Sequence, residues 1–212
     1  MTRIIAGAAG SLRLEVPKSG TRPTSDRVRE AIFSALESWG LVEGCRVLDL
    51  YAGSGALGLE AASRGAAEVL LVEKHAAAAQ VAARNARTVL GAFRAAGSAP
   101  RIAVVRQSVQ GYLDGAAPAP DREAGADGGA RASLRGSADG HWDVALLDPP
   151  YDLGEAELTV NLAALTPLLA PGAVVLVERS SRSPEPAWPT GLVPLRAKRY
   201  GETALWWAEP AH

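Results

Sequence analysis

The sequence predicts an α/β fold built on a mostly parallel β-sheet with helices on both faces. From residue 46 to residue 177, short apolar segments alternate with segments of helical periodicity. Strands that alternate with helices form βαβ units, which pair the strands in parallel. Two further strands near the end of the sequence have no helix between them, so we expect them to pair antiparallel. Together these segments predict seven strands, with an antiparallel hairpin at one edge.

Length and composition indicate one folded domain. The chain has 212 residues, of which 48% are hydrophobic and 21% are charged, close to the average of soluble proteins. The apolar segments are shorter than the roughly 18 residues needed to cross a bilayer, and the first residues lack a signal-peptide apolar region. We therefore expect a cytoplasmic protein without membrane contact. One cysteine, Cys45, and three scattered histidines predict neither a disulfide nor a metal site.

The first 20 residues are predicted to form a β-hairpin ahead of the main domain, which would span residues 21–212. Apolar-rich segments at 3–6 and 12–16 flank a loop that contains Gly7 and Gly10. The main domain begins with a turn and a helix whose N-cap lies near Ser25. This helix is predicted from the apolar spacing of Val28, Ala31, Ile32, Ala35, Leu36 and Trp39.

The remaining elements follow in alternation. We predict strands at 47–50, 68–72, 102–105, 143–147 and 173–177, then the antiparallel pair at 192–198 and 203–208. Helices are predicted at 56–64, 75–96 and 155–169. Residues 114–140 are rich in Gly, Ala, Pro, Asp and Arg and have few large apolar side chains. Burial there cannot offset the entropy of ordering, so we expect a disordered insertion.

A glycine-rich motif after the first strand of the main domain predicts a nucleoside-binding site. Gly53, Gly55 and Gly58 match the pattern G-x-G-x-x-G between a strand and a helix. Glu73 follows Gly53 by 20 residues, at the end of the next strand, where an acid can bind ribose hydroxyls. An alternative is that the glycines only make a tight turn, but strand, loop, helix and acid occur together.

The position of Asp49 bears on whether the loop binds a dinucleotide or S-adenosylmethionine. Its carboxylate lies four residues before Gly53 and would repel the pyrophosphate of a dinucleotide. S-adenosylmethionine has no phosphate and carries two cationic groups, which a carboxylate would attract. The position of Asp49 therefore favours a methyl donor. Asp49 as a structural cap of the loop is compatible with either ligand.

A second motif, Asp148, Pro149, Pro150 and Tyr151, follows the fourth strand. Ligands of open α/β sheets bind at such carboxyl ends. The Asp148 carboxylate and the Pro149 carbonyl can accept hydrogen bonds from an exocyclic amine of a nucleobase, and Tyr151 offers a face for stacking. An isolated Asp-Pro-Pro turn is common, but this turn is predicted to lie beside a methyl-donor motif.

Charge is distributed unevenly along the chain. The formal net charge is −1, yet residues 1–30 contain six basic and three acidic side chains. A phosphate-bearing partner would bind to this segment. An ordinary solvated surface is the alternative. Candidate RNA-binding residues are Arg3, Arg22, Arg27, Lys198 and Arg199.

These motifs together resemble a known family. Asp148-Pro-Pro-Tyr151 after the Asp49 to Gly55 loop is similar to the amino-methyltransferases of adenine N6, cytosine N4 or guanine N2. The segments from Arg3 to Gly7, from Thr21 to Glu30 and from Leu48 to Glu60 resemble the bacterial 16S ribosomal RNA guanine-N2 methyltransferases of the small-subunit methyltransferase D family. The likeness covers nearly the whole chain outside residues 114–140.

The resemblance implies a Rossmann-like methyltransferase that acts as a monomer, without metal, on the N2 amine of a guanine, guanine 966, in 16S ribosomal RNA of the small subunit. It implies S-adenosylmethionine as the donor. Asp148, Pro149, Pro150 and Tyr151 would hold the guanine. The donor would be bound by Asp49, Tyr51, Ala52, Gly53, Ser54, Gly55, Glu73 and Lys74. Many relatives have an acid after the third strand, where this chain has Gln107 and Ser108, so adenine contacts there are less defined.

Three other functions are compatible with parts of the sequence. A non-catalytic RNA-binding module would retain the fold, but the complete motif from Asp148 to Tyr151 disfavours it. A DNA adenine-N6 methyltransferase would use the same two motifs, but the short chain has no room for a separate target-recognition domain. An NAD-dependent oxidoreductase would use the glycine loop. The carboxylate of Asp49 and the lack of an evident hydride-transfer site disfavour it.

Overall fold

The computed structural model describes residues 2–17, 24–94, 98–116 and 141–211. Nine strands occur among these residues: β1 Thr2–Arg3, β2 Arg13–Leu14, β3 Arg46–Leu50, β4 Glu68–Glu73, β5 Arg101–Arg106, β6 Trp142–Leu147, β7 Leu169–Ser180, β8 Leu192–Tyr200 and β9 Thr203–Pro210. The helices are α1 Asp26–Ser38, α2 Ala56–Ser63, α3 Ala76–Ala92, α4 Val109–Ala116 and α5 Glu155–Leu165, followed by a 3₁₀ turn at Thr166–Leu168.

Seven strands form the main sheet in the order β5-β4-β3-β6-β7-β9-β8. The first five of these pair in parallel, and β9 joins the sheet antiparallel to both β7 and β8. Strand β3 lies at the centre, between β4 and β6. The predicted mostly parallel seven-stranded sheet with an antiparallel edge hairpin is confirmed.

The central strands are buried on both faces. In β3, Val47 belongs to one apolar cluster, while Leu48 and Leu50 belong to the cluster on the other face. Helices α1, α2 and α3 contribute to the first cluster through residues such as Ile32. Helices α4 and α5 contribute to the second through residues such as Leu113. Burial on both faces explains why the sequences of these strands are continuous apolar segments and do not alternate between apolar and polar residues.

The predicted N-terminal hairpin is present, but its paired strands are short. Thr2 pairs with Leu14 and Arg3 with Arg13, and the pair forms a sheet of its own. Gly7 has a φ of +81°, and a Cβ at this position would come within 1.9 Å of the Ser63 carbonyl oxygen. The hairpin loop therefore packs directly on the end of α2, which requires a glycine at this contact.

Strand β7 spans Leu169–Ser180 rather than residues 173–177, and three helices also differ from the sequence prediction. Helix α4 was not predicted, and its last three residues, Asp114 to Ala116, fall in the segment expected to be disordered. The rest of that segment, 117–140, lies outside the described residues. Helix α3 ends at Ala92 rather than at residue 96, because Phe93 caps its carbonyls. Helix α5 ends at Leu165 and continues as a 3₁₀ turn that contains a proline, since proline cannot sustain the α-helical hydrogen bonds.

Glu60 on α2 connects the hairpin to α1. Its two carboxylate oxygens accept hydrogen bonds from the backbone N–H groups of Ile5 at 2.7 Å and Ala6 at 3.0 Å. Two arginines neutralise it: Arg64 Nε lies 2.8 Å away and the fully buried Arg29 Nε lies 3.8 Å away. Desolvation lowers the pKa of Arg29, while Glu60 is the first of the charges that raise it. Loss of Glu60 would leave this buried arginine with less compensation.

We expect Glu60→Ala to lower the free energy of unfolding by about 3–5 kcal/mol, because the buried Arg29 would keep only the half-exposed Asp26 as a charged partner in the described part of the chain. Glu37→Ala is the matched control. Glu37 binds the same Arg64, but it is about half exposed, and we expect a loss below about 1 kcal/mol. Urea unfolding monitored by circular dichroism measures both. Equal losses for the two variants would contradict this role of Glu60.

Candidate active site at the carboxyl edge of the sheet

A cavity of about 1180 Å³ lies at the carboxyl ends of the central parallel strands. The loop after β3, the end of β4 and the loop after β6 form its floor, and Glu178 of β7 lies beside them. Its walls are formed by residues 15–17, by residues 24–25, by the first turns of α3 and by the turn between β8 and β9. The two sequence motifs thus meet at one cavity.

The glycine loop has a left-handed backbone at three positions. Tyr51 has a φ of +64°, Gly53 of +55° and Gly55 of +80°. Glycine adopts this conformation without strain, but tyrosine does so at a cost, and such residues cluster at binding sites. The Tyr51 hydroxyl contacts the amide oxygen of Asn161 on α5, which is buried. This contact fixes the direction of the tyrosine ring at the cavity wall.

Asp49 lies beneath the loop and not on the cavity wall. Its side chain is 1% exposed, and Oδ2 accepts a hydrogen bond from the backbone N–H of Gly58 at 2.8 Å. A Cβ at Gly58 would lie 2.4 Å from Leu71, so only glycine lets α2 approach the sheet this closely. Burial raises the pKa of Asp49 to about 7, and the Gly58 hydrogen bond opposes this rise. The geometry supports the alternative role of Asp49 as a cap of the loop.

Glu73 joins the loop to the end of β4. Its Oε2 accepts a hydrogen bond from the N–H of Gly53 at 3.0 Å, and its Oε1 accepts one from the N–H of His75 at 2.7 Å. The carboxylate lines the cavity. Since Glu73 occupies the Gly53 donor, that donor does not face a phosphate, as it would in a dinucleotide site.

The structure brings some predicted donor-binding residues to the cavity and leaves others away from it. Tyr51, Gly53, Glu73 and Lys74 line the wall. Ala52, Ser54 and Gly55 do not, although Ser54 accepts a hydrogen bond from the Asn85 amide through its carbonyl. Ser108 caps α4 by accepting from Gly111 N–H. Gln107 and Ser108 are exposed and lie off the cavity, whereas their neighbour Val109 lines it.

The four residues of the second motif all line the cavity. Asp148 is half-buried and Pro149 is buried, while the Tyr151 ring is 73% exposed. The Pro150 carbonyl accepts a hydrogen bond from Leu153 N–H at 3.0 Å, which closes the turn. An exposed aromatic ring next to a carboxylate matches the arrangement predicted for a base-binding site.

Sequence reasoning missed two groups at the site. Thr24 and Glu178 both lie beside Asp148, and the Thr24 hydroxyl is within hydrogen-bond distance of both carboxyls. Glu178 is a charged residue near the end of an apolar strand, and this position is the sequence signal that could have predicted it as a site residue.

The second group holds the segment after β2 in place. The buried Asn85 side chain binds both the N–H and the carbonyl of Glu15, each at 2.9 Å, and so holds the segment after β2 at the cavity.

The candidate RNA-binding residues lie near the cavity mouth or at the hairpin. Arg27 is exposed in the first turn of α1, next to the cavity residues Ser25 and Val28. Lys198 and Arg199 are exposed on β8, just before the cavity residue Tyr200. Arg3 is exposed and pairs with Asp26. Arg22 lies outside the described residues.

The described residues contain no group of three or more His, Cys, Asp or Glu side chains arranged to hold a metal ion. In that same part of the chain, the helices are too short or too polar to cross a bilayer.

Comparison with known proteins agrees with the fold and the motifs. The family model described as Conserved hypothetical protein 95 matches residues 2–114 and 122–209. The Ribosomal RNA small subunit methyltransferase D of Escherichia coli K12 is 33% identical over 203 residues, which cover 95% of this chain and 86% of the relative. The protein of the same name from Haemophilus influenzae is 32% identical over 86% of this chain and 80% of its own.

A solved structure of a hypothetical protein from Thermus thermophilus superposes with a TM-score of 0.71 at 30% identity, covering 98% of each chain. The sheet order and these relatives together place the chain in the class of Rossmann-like methyltransferases. Within that class, the chain belongs to the small-subunit methyltransferase D family, which the model Conserved hypothetical protein 95 describes.

The buried acid under the loop predicts a pH dependence of stability. The folded-state pKa of Asp49, about 7, is above its ordinary value of 3.8, so the folded protein retains a proton that the unfolded chain loses. Its contribution to stability is therefore full below about pH 4 and falls as pH rises to about 7. Asp49→Asn cannot ionise, and we expect its stability relative to wild type to rise by roughly 2–4 kcal/mol across this range. Urea unfolding at pH 5, 6, 7 and 8 measures it, and a constant difference would refute the assignment.

Proposed function

We propose that this protein transfers a methyl group from S-adenosylmethionine to the exocyclic N2 amine of a guanine, guanine 966, in 16S ribosomal RNA of the small subunit. One observation carries the proposal: Asp148 and the glycine loop with Glu73 face the same cavity. A donor on one side and a nucleobase amine on the other would then meet within one enclosed space. The relatives named small subunit methyltransferase D support the choice of substrate.

The charge of the cavity supports a cationic donor. Among the described residues, six carboxyl side chains line the cavity, against one lysine, one arginine and one histidine. The acids are Glu15, Glu73, Asp148, Asp152, Glu178 and Glu202. A pyrophosphate would be repelled here, whereas a sulfonium and an ammonium would be attracted. This charge distribution disfavours the alternative of an NAD-dependent oxidoreductase.

The residues present fit the donor at two positions. Glu73 is the acid for the ribose hydroxyls, because its carboxylate lines the cavity and is held by two backbone donors. Tyr51 and Gly53 form the wall for the methionine end, and Asp49 holds the loop from beneath through its hydrogen bond with Gly58. When bound, S-adenosylmethionine supplies an electrophilic methyl group on a cationic sulfur.

The second motif is the site for the base. The Asp148 carboxylate accepts hydrogen bonds from the amine and orients it toward the donor, and the Pro149 carbonyl is the second acceptor. The exposed Tyr151 ring stacks on a base that has left its helix. The cavity exceeds the roughly 300–1,000 Å³ of a typical single-ligand site, which is consistent with two occupants.

The decisive experiment is methyl transfer to unmodified small ribosomal subunits, naked ribosomal RNA and DNA, followed by mass mapping of the product. We expect label at the N2 of one guanine in the small subunit. Label on adenine N6 of DNA would instead support the DNA methyltransferase. Label on no acceptor would contradict a methyltransferase that acts on nucleic acid.

Asp148→Ala should lower turnover by roughly two to three powers of ten, as expected for loss of a preorganised electrostatic partner. Donor affinity, measured by calorimetry, should change little because Asp148 faces the base. Glu185→Ala is the control, since Glu185 is exposed and binds Trp188 away from the cavity. Normal turnover of Asp148→Ala would refute the catalytic assignment.

Charge reversal at the cavity mouth tests the RNA surface. We expect Arg27→Glu and Lys198→Glu each to weaken RNA binding and to reduce the slope of log affinity against log salt by about 1. Arg101→Glu, on the opposite edge strand β5, is the matched control. Filter binding over a series of salt concentrations measures the slopes. A slope that stays the same in both variants would exclude these residues from the surface.

A further inference from the structure

One hydroxyl lies between two carboxyl groups at the wall of the cavity. Thr24 Oγ1 is 3.2 Å from Asp148 Oδ2 and 3.1 Å from Glu178 Oε2. A threonine hydroxyl has one hydrogen, so it can donate to one of these oxygens and must accept at the other contact. Two ionised carboxylates offer no hydrogen for that second contact. The geometry therefore requires one of the two carboxyl groups to carry a proton.

Burial indicates which carboxyl carries it. Glu178 is 8% exposed within β7, whereas Asp148 is half-buried in the loop after β6. Desolvation raises the pKa of Glu178 to about 8, with a further rise from the negative charge of Asp148. Desolvation raises the pKa of Asp148 to about 6, and the hydrogen-bond contact with Thr24 opposes the rise at both carboxyls. Desolvation thus favours the neutral form at both groups, and the lower exposure of Glu178 within β7 assigns the proton to Glu178.

The surroundings of Glu178 do not compensate a negative charge. Its neighbour on β9 is Leu205, and the turn between β8 and β9 contributes Glu202 and Thr203 to the same cavity. Arg179, the next residue of β7, binds the Leu153 carbonyl and Glu155 instead. Among the described residues, Glu178 forms no ion pair.

We propose that Glu178 is a positioning residue that holds a proton and, through Thr24, keeps Asp148 ionised toward the base amine. The inference rests on the proposed function. Glu178 donates to Thr24 Oγ1, and Thr24 donates to Asp148 Oδ2. Without this chain, the two carboxyls would compete for the proton, and Asp148 would be neutral in part of the molecules.

The proton that the reaction releases explains why the site needs an ionised Asp148. In the transfer, the N2 lone pair forms the new carbon–nitrogen bond, and the electrons of the carbon–sulfur bond leave with the sulfur as a neutral thioether. The nitrogen must then lose one proton, which passes to Asp148. A neutral Asp148 could not accept it. The acid on Glu178 therefore keeps the proton acceptor ready at neutral pH.

The protonation state is tested first on the protein alone, so that it does not depend on activity. Carbon-13 carboxyl shifts are followed by NMR from pH 5 to pH 9 in wild type, with Glu178→Gln and Asp148→Asn used to assign the signals. We expect the Glu178 signal to titrate above pH 7 and the Asp148 signal below it. Titration of both signals below pH 5, or of Asp148 above Glu178, would overturn the proposal.

The second test is the pH profile of methyl transfer. Wild type should show a bell-shaped profile, because activity requires an ionised Asp148 and a protonated Glu178. Glu178→Gln presents an amide donor to Thr24 at every pH. It should keep turnover within about threefold of wild type at pH 7 and lose the decline above pH 8. The same bell shape in Glu178→Gln would overturn the proposal.

Two further variants separate this role from a structural one. Thr24→Val removes the bridging hydroxyl at similar volume and should move the acid limb to higher pH, because the hydrogen bond that lowers the pKa of Asp148 is lost. An unmoved acid limb would count against the bridge. Glu209→Gln alters a β9 carboxyl off the cavity and should leave the profile unchanged. If wild type methylates another acceptor, the proposed function fails while the NMR titration still decides the protonation state.

Discussion

Parallel pairing of β3 with both β4 and β6 is the constraint on which the candidate site depends. In this register Asp49 lies opposite Leu71 on one side and Leu146 on the other, so all three strands end at the same edge. The glycine loop, Glu73 and Asp148 lie at these ends. Residues about 100 positions apart in the chain therefore face one cavity. An antiparallel β6 would have placed Asp148 at the opposite edge.

Several acidic side chains lie at the cavity or just beneath its wall, and different hydrogen bonds stabilise each of them. Glu73 is held by two backbone donors, Asp49 by one, and the pair of Asp148 and Glu178 by a shared hydroxyl. Hydrogen bonds to a carboxylate favour its ionised form, whereas burial favours the neutral form. The balance between hydrogen bonding and burial differs among these residues, so one carboxyl group can be ionised while its neighbour is protonated. A cationic ligand suits such a wall.

The residues before α1 belong to the site as much as the sheet does. Glu60 secures the hairpin to α2, and Asn85 secures Glu15 to α3 and to the loop carbonyl of Ser54. Through these contacts, the N-terminal segment becomes a wall of the cavity. The sequence predicted a basic hairpin for RNA, but the polar contacts that hold it in place were not foreseen, because they join residues more than 50 positions apart.

The sequence by itself determined the order of strands and helices, the glycine loop and the Asp148 motif, because apolar periodicity and turn residues act over short distances along the chain. It did not reveal α4, whose short apolar pattern lies beside a segment of low complexity. It also did not reveal that Ser108 caps this helix. Only the tertiary structure decided that Asp49 lies beneath the loop, that Arg29 is buried, and that Thr24 bridges Asp148 and Glu178. Burial and shared hydrogen bonds arise between distant segments, and no local pattern encodes them.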